Sequence, residues 1–180
     1  MPRTQMIRLD DTDRQILEIL QRDARTSLAA LAEAVGLTAT PLRARIERLE
    51  SDGVIRGYHA DVDPTLVGRP VRAFVHVTMK DQGLDHHKRF VREVAELPSV
   101  VSLHHIAGEE DFVLEVLFED MGSVRTFLLE KLGSISSIGR VKTSFVLESP
   151  KRRAAVPLAE PPVPPKSSGR TKRKKRGGGS

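Results

Sequence analysis

Between Asp10 and Ile55 the apolar positions recur at three- and four-residue spacings, in three short blocks. Ile16, Leu17 and Leu20 form the first stripe. Asp10 is placed as the N-cap, and Asp13 lies in the first turn, where acids are favoured by the exposed helix amides. Leu28, Leu31, Ala32 and Val35 fall at i, i+3, i+4 and i+7, which predicts a second helix capped by Thr26 or Ser27 and stopped by Gly36. Thr38 restarts the chain as a new N-cap. Pro41 falls in the first turn, where its missing amide is harmless, and Leu42, Ile46 and Leu49 give the buried face up to Gly53. Two capped helices joined by a Gly-containing turn of about three residues have the sequence form of a helix-turn-helix.

From Val71 to Leu147 the period changes repeatedly. Val71, Ala73, Val75, Val77 and Met79 alternate with Arg72, Phe74, His76 and Thr78, which predicts a strand. His87, Phe90, Val91, Val94 and Leu97 then mark a helix closed by Pro98. Strands are expected at Val100–Ile106 and Phe112–Phe118, a helix around Val124, Phe127, Leu128 and Leu132, and a last strand over Arg140–Leu147. The order βαββαβ predicts a ferredoxin-like antiparallel sheet with both helices on one face. Phe74 and other apolar residues also occur at the alternate strand positions. With helices for only one face, the other is expected to close a homodimer or higher homo-oligomer.

The fold class expected is therefore α+β. A three-helix winged or plain helix-turn-helix domain (1–57) leads through a linker strand or hinge (58–70) into the ferredoxin-like domain (71–149). Residues 150–180 read as a disordered Pro-rich linker and basic tail. Charge divides along the same lines. The whole chain carries +5, but ten of its 29 lysines and arginines lie in 151–180 against one acid, Glu160, so residues 1–150 carry −4. Bulk attraction to phosphate is thus expected from Arg170, Lys172, Arg173, Lys174, Lys175 and Arg176. Register on double-stranded DNA falls to the outward face of the third helix: Thr38, Thr40, Arg43 and Arg48, with Arg45 nearer the buried boundary. Hydroxyls and guanidiniums there can reach phosphates or base edges.

The absence of cysteine excludes disulfides and Cys-based metal sites. No apolar run suits a membrane span, and no signal-peptide core follows Met1, so a cytoplasmic, nucleoid-associated protein without membrane contact is expected. His86-His87 and His104-His105 lack the spacing of a single-faced metal site; no metal or other cofactor is expected. No arrangement of serine, histidine or carboxylates suggests a hydrolytic or transfer enzyme.

From Leu9 to Gly68 the chain resembles the N-terminal half of the Lrp/AsnC family of transcription regulators. Leu9-Asp10, Asp13, Ile16-Leu17, Leu31-Ala32, Gly36-Leu37-Thr38, Arg45-Ile46, Leu49-Glu50, Gly53-Val54-Ile55 and Gly57-Tyr58 carry the match. In the second half Gly108, Asp111, Val141, Thr143-Ser144 and Val146-Leu147 are similar to the family's ligand-sensing domain. The resemblance implies an amino acid or related small molecule bound around Gly108, Glu109, Glu110 and Asp111, with Thr143 and Ser144 of the last strand. The physical reason is that a glycine turn can present amides to a carboxylate, and a carboxylate can pair with an ammonium. Glu109 and Glu110 add negative charge there and favour a cationic or polar effector. Sirohaem decarboxylases resemble the same two-domain plan, with His76, His104 and His105 as the conceivable histidines; neither a helix-turn-helix nor a basic tail is needed for that chemistry. A nucleoid-coating architectural protein is the other alternative. The reading adopted is a sequence-specific, effector-responsive transcription regulator and not an enzyme.

Overall fold

The computed structural model describes residues 7–81, 83–150 and 155–158. The chain forms two units. One runs up to His59 and includes the described segment Ala155–Leu158; the other runs from Ala60 to Arg152. The tail residues from Arg170 to Arg176 lie outside the described residues.

In the first unit, α1 spans Asp11–Arg22, α2 Leu28–Ala34 and α3 Ala39–Ser51. Asp10 and Asp13 cap α1 reciprocally. The Asp13 amide donates to Asp10 Oδ1 (2.8 Å), and the Asp10 amide donates to Asp13 Oδ2 (3.1 Å). Two of the orphan donors of the helix start are thereby satisfied. Of the two candidate caps for α2, Ser27 makes the bond, accepting from the Ala30 amide. Gly36 takes φ +68° and ends α2, a conformation glycine adopts without steric penalty. Thr38 is the N-cap of α3, as expected, but its hydroxyl makes no cap hydrogen bond. Ile16, Leu17, Leu31, Ala32, Leu42 and Leu49 are the buried core, with Ile46 only partly buried. Across the expected linker strand or hinge (58–70) the described chain holds turns and irregular backbone and no strand. The turn at Pro64–Gly68 is closed by the Arg69 amide donating to Pro64 O.

In the second unit, β1 (Val71–Met79), α4 (Leu84–Ala95), β2 (Val100–His105), β3 (Phe112–Phe118), α5 (Met121–Thr126) and β4 (Ile138–Phe145) follow in βαββαβ order. The sheet order is β2-β3-β1-β4 and every pairing is antiparallel, the ferredoxin-like arrangement. Ala73, Val75, Val77 and Met79 of β1 and Phe112, Leu114, Val116 and Phe118 of β3 bury one face. Phe90 and Val94 of α4 and Val124, Phe127 and Leu132 of the second helix cover it. Val91, expected on the buried side of α4, is exposed instead. The second helix is not regular: α5 passes directly into a π-helical turn at Phe127–Leu132. β4 begins two residues earlier than its apolar pattern suggests and ends at Phe145, so Leu147 lies beyond it and is exposed.

Candidate DNA-reading helix and effector turn

Asp13 organises the α3 surface. It lies at i relative to Ile16, Leu17 and Leu20, so helical periodicity turns it inward with them. Its side chain is only 1% exposed. Desolvating a carboxylate is costly unless it is paired, and two arginines of α3 supply the pairing. Arg45 Nη1 lies 2.8 Å from Asp13 Oδ1 and 2.6 Å from Asp10 Oδ2, and Arg48 Nη2 lies 2.5 Å from Asp13 Oδ2. The Asp13 amide, and after it Arg45, holds the Asp10 carboxyl below its ordinary range. Asp10, then Asp13, raises the Arg45 guanidinium further above an already basic value.

This network divides the expected DNA-facing residues into two groups. Arg45 is half-buried, and both Arg45 and Arg48 have guanidinium nitrogens committed to Asp13. Thr38, Thr40 and Arg43 are exposed, and the Thr38 hydroxyl is not used as a cap. At the other end of α3, Tyr58 Oη donates to Glu50 Oε1 (2.8 Å). Burial, then the Glu50 carboxylate, pushes the Tyr58 phenol up to about 12. The Asp13 clamp and the Tyr58 bond are contacts of the helix-turn-helix that sequence reading missed. The available signal was an acid on an apolar helical stripe.

In the second unit the turn before β3 is anchored at Asp111. Asp111 Oδ2 accepts from the Met79 amide (2.7 Å), the Asp111 amide donates to Val77 O, and the Ile106 amide donates to Asp111 O. Asp111 therefore ties the turn to the end of β1. Gly108 is exposed, and a Cβ there would meet nothing within 4 Å. Glu109 is exposed, whereas Glu110 is half-buried and lies 3.9 Å from Lys142 Nζ on β4. Thr143 and Ser144, being adjacent on a strand, point to opposite faces. Thr143 pairs with Val75 on the helix-covered side and Ser144 with Phe74 on the open side. The structure thus brings Glu110 and Asp111 together near the ends of β1 and β4, and does not bring Thr143 and Ser144 to one face.

The open face carries Arg72, Phe74, His76 and Thr78 of β1 beside Val113, Glu115 and Leu117 of β3. It is mixed rather than uniformly apolar. Arg72 Nη2 lies 2.5 Å from Glu115 Oε1, and its guanidinium sits 6.0 Å from the Phe74 ring centroid. Three shielded atoms on this face have no hydrogen-bond partner: Arg72 Nε, His76 Nδ1 and Thr78 Oγ1. The histidines separate. His76 and His104 flank Val113 on the open side, while His105 stacks on Phe112 at 4.8 Å and meets His87 edge-on at 5.2 Å. His105, on the opposite side of the sheet, cannot join His76 and His104 around a single tetrapyrrole. Among the described residues no three metal-ligating side chains converge.

A helix-turn-helix with an exposed second helix, followed by a ferredoxin-like sheet, defines a two-domain DNA-binding protein. Residues 9–56 match the family model described as winged helix-turn-helix DNA-binding, and residues 72–156 that of the Lrp/AsnC ligand binding domain. The chain belongs to the Lrp/AsnC family of transcriptional regulators. It is 36% identical over 150 residues to the HTH-type transcriptional regulator AldR of Mycolicibacterium smegmatis, covering 83% of this chain and 86% of that one. It is 37% identical to the DNA-binding transcriptional activator DecR of Escherichia coli, covering 83% and 99%. A transcriptional regulator of Neisseria meningitidis, solved as a complex with L-Met, superposes with a TM-score of 0.80 at 33% identity, covering 84% of this chain and 97% of that chain. Among the described residues no helix is long and apolar enough to cross a membrane.

Proposed function

We propose that this regulator reads DNA through Thr38, Thr40 and Arg43, with Arg45 and Arg48 setting the pose of α3 from the Asp13 clamp. The observation that carries the reading is the division on α3: two arginines are tied inward, while an arginine and two hydroxyls are left exposed. Phosphate contact fixes register, and base contact by an arginine fork gives sequence choice. The protein acts as a homodimer or higher homo-oligomer without catalysing a reaction, in the cytoplasm and on the nucleoid. The open sheet face supports the dimer, because its apolar side chains are only partly buried and both helices of the unit cover the other face. Phe74, Val113 and Leu117 would form its apolar centre.

An amino acid, or a small molecule like one, is proposed as the effector at the Gly108–Asp111 turn. The relative solved with L-Met supports the ligand class, and Glu109 and Glu110 favour a ligand with a cationic group. The effector would act by changing the oligomer geometry that spaces paired α3 helices on the duplex. The test combines a thermal-shift screen of the full chain against amino acids with binding to its own promoter fragment. Stabilisation by an amino acid that also changes promoter affinity is expected. Specific promoter binding that no amino acid alters would remove the effector half of the reading. Replacing Arg43 by Ala is expected to lose about 1–3 kcal/mol of specific affinity if it contacts a base. A loss confined to operator DNA would mark a base contact, and an equal loss on operator and random DNA a phosphate contact.

A further inference from the structure

The segment Ala155–Leu158 lies 135 residues from its partner on α1, yet its contacts are those of a built element. Gln21, in the last turn of α1, pairs its side-chain amide with one backbone unit in both directions. Gln21 Nε2 donates to Val156 O (3.3 Å), and the Val156 amide donates to Gln21 Oε1 (2.5 Å). That two-way pairing is the one an adjacent strand would make, and it requires extended backbone at Val156. Pro157 supplies this locally, since a residue before proline is biased towards extended conformations and proline itself has no amide to satisfy. Leu158 is half-buried and packs on the cluster of Ile16, Leu17, Leu31, Ala32, Leu42 and Leu49. The Val-Pro-Leu sequence reads as plain linker; the tertiary contact makes it part of the DNA-binding unit.

We propose that Ala155–Leu158 is a strap that docks on α1 of its own chain and fixes the basic run Arg170–Arg176 to the DNA-reading unit. The sensing unit is then bracketed in the chain by two connections to that unit, one before Ala60 and one after Arg152. Arg170 lies twelve positions beyond Leu158, so chain length alone keeps the start of the basic run within roughly 40 Å of the strap. A docked strap tethers that positive charge to the DNA-reading unit at a higher effective concentration than a tail leaving from the sensing unit would have.

The native chain has no cysteine, which makes a paired-cysteine test clean. In the full chain carrying Glu18→Cys and Val156→Cys, which keeps the Gln21 pairing, a bismaleimide long enough to span one helical turn is expected to join the tryptic peptides of α1 and the strap within one chain. Links found only between chains, or none, would overturn docking on its own α1. Separately, Gln21→Ala and Leu158→Asp are expected to weaken binding to promoter DNA several-fold at low salt, while keeping the salt slope because no cation is removed. Unchanged affinity in both variants would overturn the role in holding the tail. Gln21 is outside the core, so its variant reports on the strap even if Leu158→Asp disturbs folding.

Discussion

Asp13 has almost no water around its carboxylate, and its charge is held by the Asp10 amide, Arg45 and Arg48. Removing one partner of such a group leaves the others uncompensated. Replacing Asp13 by Ala is expected to destabilise the DNA-binding unit by about 2–4 kcal/mol, less than a fully enclosed ion pair because Arg48 is half exposed. Denaturant unfolding measures it. Asp13→Asn keeps an oxygen for the Asp10 amide and should fall between the two. The neighbouring Asp10 adds a pH dependence. Its folded pKa is depressed, so its contribution is present above about pH 4 and is lost as pH falls through the lowered value. An acid titration of Asp10→Ala should therefore lose part of the wild-type slope in that range. Which arginines were candidates was legible from helical periodicity. Their partner was not, because Asp13 and Arg45 are 32 residues apart in the chain and no local pattern joins them.

Elements were more legible than their irregularities. The period-two runs of β1 and β3 gave both strands with their bounds, because burial on alternate positions follows directly from the pleat. The π-helical turn did not show, since Val124, Phe127, Leu128 and Leu132 fit a regular helix equally well. Only packing selects the wider turn, which buries Phe127 and Leu132 together and leaves Leu129 exposed. Gly133 closes it. A Cβ there would stand 2.3 Å from Leu129 O, so Gly133→Ala must shift backbone and is expected to cost about 1–3 kcal/mol in the sensing unit. Thermal unfolding of that variant checks it, and an unchanged midpoint would contradict the close approach. On the open face, Phe74→Glu places a charge at the proposed dimer centre. Equilibrium sedimentation is expected to show monomer at a concentration where the wild type is assembled.

At the scale of the whole molecule, the division of charge was readable from counting, whereas the return of the chain to α1 was not. Proline-rich composition says that a segment is extended, but not what it rests on. Deleting residues 159–180 removes seven cations and leaves the Ala155–Leu158 segment in place. If the six in Arg170–Arg176 meet phosphate, the slope of log affinity against log salt should fall by up to ~5. Sequence preference should persist, because α3 is untouched. A slope unaltered by the deletion would show that these cations do not meet DNA.

Because one carboxylate both starts α1 and anchors α3, the first turn of the domain cannot fray without freeing its reading helix. Amide exchange at Asp13 and along α3 should then share one opening free energy rather than a graded series. Partial unfolding that keeps a DNA-competent α3 is thereby removed from the populated states, and the reading surface exists only in the cooperative whole.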